Sequence, residues 1–467
     1  MKASRVGSSE SRVWLLSHGG GTSVLTGCCV GLFWIYDPAR SPALFFSLLL
    51  GWAAALALLL WRWRGTSPPV AAALIVAGLL RVLLLPLPLS LSDDAYRYLW
   101  DGSVVRAGVN PYAVAPNDES LTTLRDGVWE RLPHRDVETV YPPLSLMLFS
   151  VAGLFPLPIL ALKLMLVCAD LGCCWLLLRL AAARGLATVG VLAYAWNPLA
   201  VLETAGMGHV DALGLPLVVL ATMILDSAYR SGGRAVLGLG PTLRAAALVA
   251  AAVLVKLVPV LVVPAFARLS GRRVAFVAAV SGIVAAAFVP FLVPLGGVPP
   301  GLVTYAVSWE FNGPLFEPLW RAVEVARIAD GVSWVLDRVP RMGIDPGPLS
   351  GTYSLVYPQA LAKGLLGLAL IGVLVWSLRA ASAIEACMRA FGGWVVVSAT
   401  VHPWYLLWLL PWAAVLGRVP WLVLSASALC AYLPTLFGVA LLPWPFLLVW
   451  IPPLTLAVWP RLRSAFG

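Results

Sequence analysis

Two adjacent carboxylates, Asp93 and Asp94, follow a long apolar run and open a polar stretch of the chain. Neighbouring carboxylates repel each other and are poorly solvated beside a bilayer, and both effects raise their pKa. A carboxylate in this state can take a proton from a hydroxyl group or hold a cation. Ser92 or Asp93 can also cap a helix that begins near Asp94. The sequence leaves open whether the pair only caps or also catalyses.

A helix that begins at Asp94 would place Arg97 and Asp101 on the same face as that carboxylate. The polar stretch contains further candidates for substrate contacts, namely Tyr96, Asp101, Asn110, Tyr112 and Tyr141. Two prolines follow the last of these and predict an extended segment that leads into a helix starting at Pro143.

Glu203, His209 and Asp211 lie between two apolar runs in the middle of the chain. An ionisable residue inside a bilayer costs about 2.5–3.5 kcal/mol on insertion scales, so it usually faces a cavity. The trio is compatible with a polar turn or with a metal site, although its spacing matches no known metal motif. We count all three as candidates for substrate binding.

Lys256 is a lone charge in the centre of a second apolar stretch. Two short helices that meet at Lys256 would bring its ammonium group to a cavity, where a compact cation suits a phosphate. The alternative is a structural ion pair.

Two later segments combine aromatic rings with polar groups, a pattern typical of sugar binding. Rings pack on the C–H faces of a sugar, and side-chain oxygens bond to its hydroxyls. The candidate residues are Trp309, Glu310 and Asn312 in the first segment and His402, Trp404 and Tyr405 in the second.

These residues need a scaffold, and the composition indicates which kind. The chain has 467 residues, 60% hydrophobic and 12% charged, whereas soluble domains average about 25% charged. This excludes a soluble enzyme and a disordered chain. It predicts an all-α, polytopic transmembrane helical bundle, one integral-membrane domain over residues 1–467, with about 13–14 membrane segments.

Charge patterning predicts the orientation of that bundle. The net charge is +10, but the acidic stretches 91–143 and 295–353 sum to −4 and −2. Short cytoplasmic loops collect Lys and Arg, so both stretches are expected outside and both termini inside. The short run 143–155 is then a juxtamembrane helix, and the functional outer loops are 91–157 and 295–353. The positive charge indicates membrane topology rather than nucleic-acid binding.

The combination of Asp93-Asp94, Tyr-Pro-Pro-Leu, Trp-Asn-Pro-Leu, a helix pair broken at Lys256 and His402-Pro-Trp-Tyr resembles the GT-C membrane glycosyltransferases. The resemblance covers roughly residues 70–416. It is nearest to glycosyltransferase family 87 and to the actinobacterial α-mannosyltransferases of the bacterial cell envelope.

The resemblance implies transfer of a sugar, most plausibly mannose, from a polyprenyl-phosphate donor to a glycan or glycolipid acceptor. The site would face outward from the plasma (inner) membrane, and the reaction would invert the anomeric carbon without a metal or other cofactor. Asp93 or Asp94 would be the general base, and Lys256, His402 and Arg97 would contact the donor phosphate. A transporter or flippase for a lipid-linked sugar or an anionic solute is the alternative.

Overall fold

The computed structural model describes residues 22–64, 67–230, 236–343 and 356–466 of the chain. The helices of the first half are α1 (Thr22–Ile35), α2 (Pro42–Arg62), α3 (Val70–Leu84), α4 (Asp94–Arg106), α5 (Pro143–Ala152), α6 (Pro158–Ala183), α7 (Leu192–Ala195), α8 (Pro198–Val201), α9 (Asp211–Arg230) and α10 (Leu239–Val255). Those of the second half are α11 (Val263–Ser270), α12 (Arg273–Leu295), α13 (Pro300–Ser308), α14 (Phe316–Val325), α15 (Ile328–Leu336), α16 (Pro358–Ser377), α17 (Ala383–Val397), α18 (Leu410–Val415), α19 (Val419–Ser427), α20 (Leu433–Phe437) and α21 (Trp444–Phe466). The predicted all-α helical bundle is confirmed.

Five helices in these ranges are long and apolar enough to cross a membrane: Pro42–Arg62, Pro158–Ala183, Arg273–Leu295, Pro358–Ser377 and Val419–Phe437. Shorter apolar helices accompany them, among them α1, α3, α5 and α10. Proline occupies the first turn of α2, α5, α6, α13 and α16, where its missing N–H has no helical partner to lose. The helix predicted to start at Pro143 is confirmed.

The apolar run over 187–201 does not form one helix. It is divided into a 3-10 turn, α7 and α8, and a π-helical turn follows at Leu202–Gly206. The break has a local cause, because Pro198 cannot donate to the preceding turn and the Asn197 side chain accepts from Leu199 N instead. Residues 403–416 are likewise divided into a 3-10 helix and α18. In the described ranges, the helices that are long and apolar enough to cross a membrane therefore number five, against about 13–14 membrane segments expected from composition.

A buried ion pair holds this irregular region against α3 and α6. Arg81 donates from Nε to Asp170 at 2.6 Å, and both side chains are fully buried. The same aspartate accepts from the hydroxyls of Tyr194 and Thr204. Since an unpaired buried charge is costly, these bonds fix the region between α7 and α9.

The two acidic stretches contain helices and are in contact with each other. Helix α4 lies in the first stretch, and α13 to α15 lie in the second. Gly301 approaches the first stretch so closely that an added Cβ would lie 2.4 Å from the carbonyl oxygen of Glu138. The rings of His134 and Trp309 also meet, with centroids 4.7 Å apart. The residues singled out in each stretch are thereby brought together.

Candidate active site

A cavity of about 670 Å³ lies where the two acidic stretches meet the ends of α10, α16 and α17. Nine of the residues singled out from sequence line it: Asp93, Asp94, Arg97, Tyr141, Lys256, Trp309, His402, Trp404 and Tyr405. They come from segments more than 300 residues apart. The cavity size falls within the range of about 300–1,000 Å³ typical of small-molecule sites.

A buried lysine binds the segment that connects α3 to the two carboxylates. Lys163 of α6 donates from Nζ to the carbonyl oxygens of Leu87 at 2.6 Å and Leu85 at 3.3 Å. Free carbonyls at a helix C-terminus favour a cation. Lys163 therefore fixes the path of the chain towards Asp93.

Helix α4 begins at Asp94, as the sequence predicts, but the Asp93 side chain makes no capping hydrogen bond. Asp93 is the N-cap residue by position, and Ser92 Oγ accepts from Asp94 N at 3.4 Å. The Asp93 side chain is exposed to the cavity. Partial burial and the negative charge of Asp94 raise the pKa of Asp93 above its ordinary value.

Two buried side chains lie close to the carboxylate of Asp94. The Tyr98 hydroxyl donates to Asp94 Oδ2 at 3.5 Å, and His209 Nε2 lies 4.0 Å from the same oxygen. His209 Nε2 is also 3.1 Å from Ser92 Oγ, and its Nδ1 is 2.9 Å from Glu203 Oε2. A buried array that includes Glu203 therefore supports Asp94 rather than contacting a ligand.

Arg97 lines the cavity, but its guanidinium group is already engaged. Nε donates to Asp101 Oδ1 at 2.8 Å, and the other nitrogens donate to the carbonyls of His134 and Val137. Thr139 completes the cluster by donating to Asp101 Oδ2 at 2.5 Å. Burial raises the pKa of Asp101, against the lowering effect of Arg97 and Thr139. This geometry makes Arg97 the residue that holds segment 134–139 against α4.

Lys256 occupies the predicted break, in extended conformation between α10 and a 3-10 turn. Its Nζ donates to Asp211 Oδ2 at 2.7 Å and lies 5.0 Å from the ring centroid of Tyr405. Asp211 is fully buried and also accepts from Trp408 Nε1 at 2.6 Å. The structural ion pair left open by the sequence exists, and Lys256 still lines the cavity.

Four aromatic rings form a continuous stack from the cavity wall to the array behind Asp94. Their centroids are separated by 4.5 Å from Phe311 to His402, 4.3 Å from His402 to Trp404 and 4.0 Å from Trp404 to His209. Burial, the Lys256 ammonium and His209 lower the pKa of His402 to about 3. His402 is therefore neutral at physiological pH and can offer a hydrogen bond, but no positive charge, to a phosphate.

The remaining predicted residues lie away from the cavity wall, with their side chains engaged in the fold. Asn110 donates to the carbonyl of Phe291, and Tyr112 donates to the carbonyl of Tyr141. Asn312 is buried and accepts from Trp450 Nε1, and Glu310 pairs with Lys363 at 2.9 Å. The full set comprises Tyr96, Asp101, Asn110, Tyr112, Glu203, His209, Asp211, Glu310 and Asn312.

Sequence reasoning missed several cavity residues, chiefly His134, Tyr305, Lys363 and Trp394. Tyr305 and Tyr405 join their hydroxyls across the cavity, and Tyr305 lies beside Trp309 with ring centroids 5.3 Å apart. Sequence reasoning could have found Lys363, because it is a lone cation within an apolar stretch, as Lys256 is.

One side of the cavity is apolar. Its wall includes Leu257, Val258, Val260 and Leu261 from the 3-10 turn and Leu366 and Leu370 from α16. Leu257 and Val260 are 38% and 49% exposed. This side of the cavity is therefore an apolar surface with partly exposed side chains.

No group of three or more His, Cys, Asp or Glu residues that could hold a metal ion occurs in the described ranges. The trio Glu203, His209 and Asp211 illustrates why. Glu203 accepts from Tyr432, while Asp211 is bonded to Lys256 and Trp408. The hydrogen-bonding groups of Glu203 and Asp211 are thus engaged by other side chains of the protein.

The fold and the cavity define a polytopic helical membrane protein with paired carboxylates, a lysine and aromatic rings around one cavity. Residues 26–272 match the family described as alpha-(1→6)-mannopyranosyltransferase, N-terminal domain. This is more than half of the chain, and the chain belongs to that family, so it is a membrane glycosyltransferase that acts on mannose. No curated protein and no solved structure matches it.

Proposed function

We propose that the protein transfers mannose from a polyprenyl-phosphate donor to a hydroxyl group of a glycan or glycolipid, with Asp93 as the general base. The observation that carries the proposal is the composition of one cavity. It combines a carboxylate free of capping bonds, a lysine, a set of aromatic rings and an apolar side. Each part matches one component of such a reaction.

The apolar side suits the hydrocarbon chain of the donor. Leu257 and Val260 line this side and are partly exposed, which suits a lipid chain that extends from the bilayer into the site. The donor phosphate would then lie near Lys256, whose ammonium group is held in place by Asp211. Trp309, Tyr305 and Tyr405 supply the aromatic surfaces for the sugar.

The reaction balances without a further reactant. Asp93 accepts the proton of the acceptor hydroxyl while the acceptor oxygen forms a bond to mannose C1. The bond between C1 and the phosphate oxygen breaks, and its electron pair leaves with polyprenyl phosphate. Charge develops on that leaving group in the transition state, where a fixed Lys256 stabilises it most. Attack opposite the leaving group inverts the anomeric carbon.

Asp93 suits the role of base better than Asp94. Its raised pKa keeps it basic enough to accept a proton, and it makes no capping bond. Asp94 is tethered by Tyr98 and lies near the buried His209. The excess of Lys and Arg outside the two acidic stretches supports a site on the outer face of the plasma membrane by the positive-inside rule.

The test is transfer of radiolabelled mannose from polyprenyl-phosphate-mannose in membranes. Asp93→Asn is expected to lower the rate by about 10²–10⁴-fold, since a general base contributes that much. Glu119→Gln, an exposed acid in the same stretch, is the matched control. Normal transfer by Asp93→Asn would contradict the proposed base.

Two further outcomes of this assay test the reaction class. We expect a chelator to leave the rate of purified protein unchanged, because polyprenyl phosphate can leave without metal assistance. Movement of the lipid-linked sugar across the membrane with no glycoside formed would instead favour the transporter alternative.

A further inference from the structure

A second, smaller and more open cleft of about 410 Å³ adjoins Asp93. Six residues line it: Pro88, Leu89, Ser90, Asp93, Tyr96 and Arg131. Of the described residues, Asp93 alone lines both this cleft and the main cavity. Its carboxylate therefore stands where the two spaces meet.

The two spaces differ in chemistry. The main cavity is largely apolar and aromatic, whereas four of the six residues around the cleft carry hydroxyl or charged groups. A lipid-linked donor belongs in the first space. A water-soluble molecule that must deliver a hydroxyl to the same base can approach through the second.

Arg131 and Tyr96 form a hydrogen-bonded pair on the wall of the cleft. Arg131 Nη1 donates to the Tyr96 hydroxyl at 2.9 Å, and its guanidinium carbon lies 5.4 Å from the ring centroid. The other guanidinium nitrogens make no hydrogen bond to described residues, so they can donate to a ligand in the cleft. Tyr96 belongs to α4, two residues after Asp94, so the pair has a fixed position relative to Asp93.

The charges around the cleft indicate a neutral ligand. The lining holds one cation, Arg131, and one carboxylate, Asp93, so its formal charges cancel. Ser90 donates to Asp37 at 2.7 Å, and Arg40 lies 4.0 Å from the same carboxylate. An anionic molecule would be repelled by Asp93. Hydroxyl groups, in contrast, can donate to Asp93 and accept from Arg131.

We propose that this cleft is the acceptor site, in which Arg131 and Tyr96 bind the terminal hexopyranoside of a neutral glycan and present its hydroxyl to Asp93. The proposal rests on the proposed function, and it deepens that function by assigning a place and a chemical class to the acceptor.

Steady-state kinetics with a short soluble mannoside as acceptor test the assignment. Arg131→Met and Tyr96→Phe are expected to raise the acceptor KM about tenfold or more. The donor KM and the rate of donor hydrolysis by water should stay within about twofold, because neither residue lines the main cavity. Arg321→Met, an exposed arginine of the second acidic stretch, is the matched control. An unchanged acceptor KM in both variants would overturn the proposal.

A binding measurement separates failure of the acceptor site from failure of the proposed function. Saturation-transfer NMR with the same mannoside is performed on the wild type without donor, so that no turnover occurs. Signals that are present in the wild type and lost in Arg131→Met support the site, whether or not the donor has been identified correctly. Signals equal in the two proteins, or absent from both, overturn it. Absence of mannosyl transfer by the wild type, with binding intact, counts against the proposed function alone.

Discussion

Lys256 Nζ lies 2.7 Å from Asp211 Oδ2, although 45 residues separate them in the chain. The other oxygen of Asp211 accepts from Trp408 Nε1 at 2.6 Å. The carboxylate is therefore bonded on both sides and cannot turn away from the lysine. A lysine side chain has several rotatable bonds, and this contact fixes its ammonium group at the cavity wall.

Lys256→Met is expected to lower mannosyl transfer by about 10²–10³-fold, because it removes the cation opposite the developing phosphate charge. Asp211→Asn should have a smaller effect, since the lysine remains while its position loosens. Radiolabel transfer measures both rates, and thermal unfolding in detergent checks that each variant folds. Equal rates for Lys256→Met and wild type would remove Lys256 from the mechanism.

Asp94→Asn should move the acid limb of the pH–rate profile to lower pH. The Asp94 charge helps to raise the pKa of Asp93, so its removal lowers that pKa. The base then stays deprotonated, and active, at more acidic pH. The measurement is kcat/KM against pH for wild type and Asp94→Asn, with Glu119→Gln as control. A shift to higher pH would show that Asp93 is not the titrating base.

Arg97→Met should destabilise the protein by about 3–5 kcal/mol, because it leaves Asp101 buried without its partner. Loss of the bonds to segment 134–139 should also reduce transfer. The double variant Arg97→Met/Asp101→Leu should recover stability, since no buried charge remains, but not the full rate. Denaturant or thermal unfolding compares the three proteins. Equal stability of the single and double variants would contradict this account.

Gly102→Ala should destabilise the contact between α4 and α5. An added Cβ would lie 2.6 Å from the backbone carbon of Phe149, so the two helices must move apart. The expected cost is about 1–3 kcal/mol, with a lower rate because α4 carries Asp94. Gly127→Ala, where an added Cβ meets nothing within 4 Å, is the control. Comparable unfolding midpoints for both variants would argue against tight packing at Gly102.

The sequence was informative where local chemistry determines structure. A polar residue after an apolar run, a Pro-Pro pair and a lone lysine predict the start of α4, the start of α5 and the break at Lys256. Each depends on residues that are neighbours in the chain. The Ser92 bond to Asp94 N was within reach of the same reasoning, which left Ser92 and Asp93 as equal alternatives.

Long-range partners were not predictable in this way. Spacing along the chain does not show that Arg97 also donates to the carbonyls of His134 and Val137, or that Glu310 pairs with Lys363. The same holds for Arg81 and Asp170, which are 89 residues apart. Such pairs form because a buried charge must find a partner, and the partner is selected by how the helices pack.

Leu257 and Val260 form part of the apolar side through which the proposed lipid-linked donor enters, and this route determines how substrate supply should be counted. A donor that enters sideways never leaves the bilayer, so the protein meets it by diffusion in two dimensions. Saturation of the enzyme then depends on the mole fraction of donor among the lipids. It does not depend separately on the concentration of donor in the whole sample. Adding inert lipid at constant donor and protein should slow the reaction, although nothing in the aqueous phase has changed.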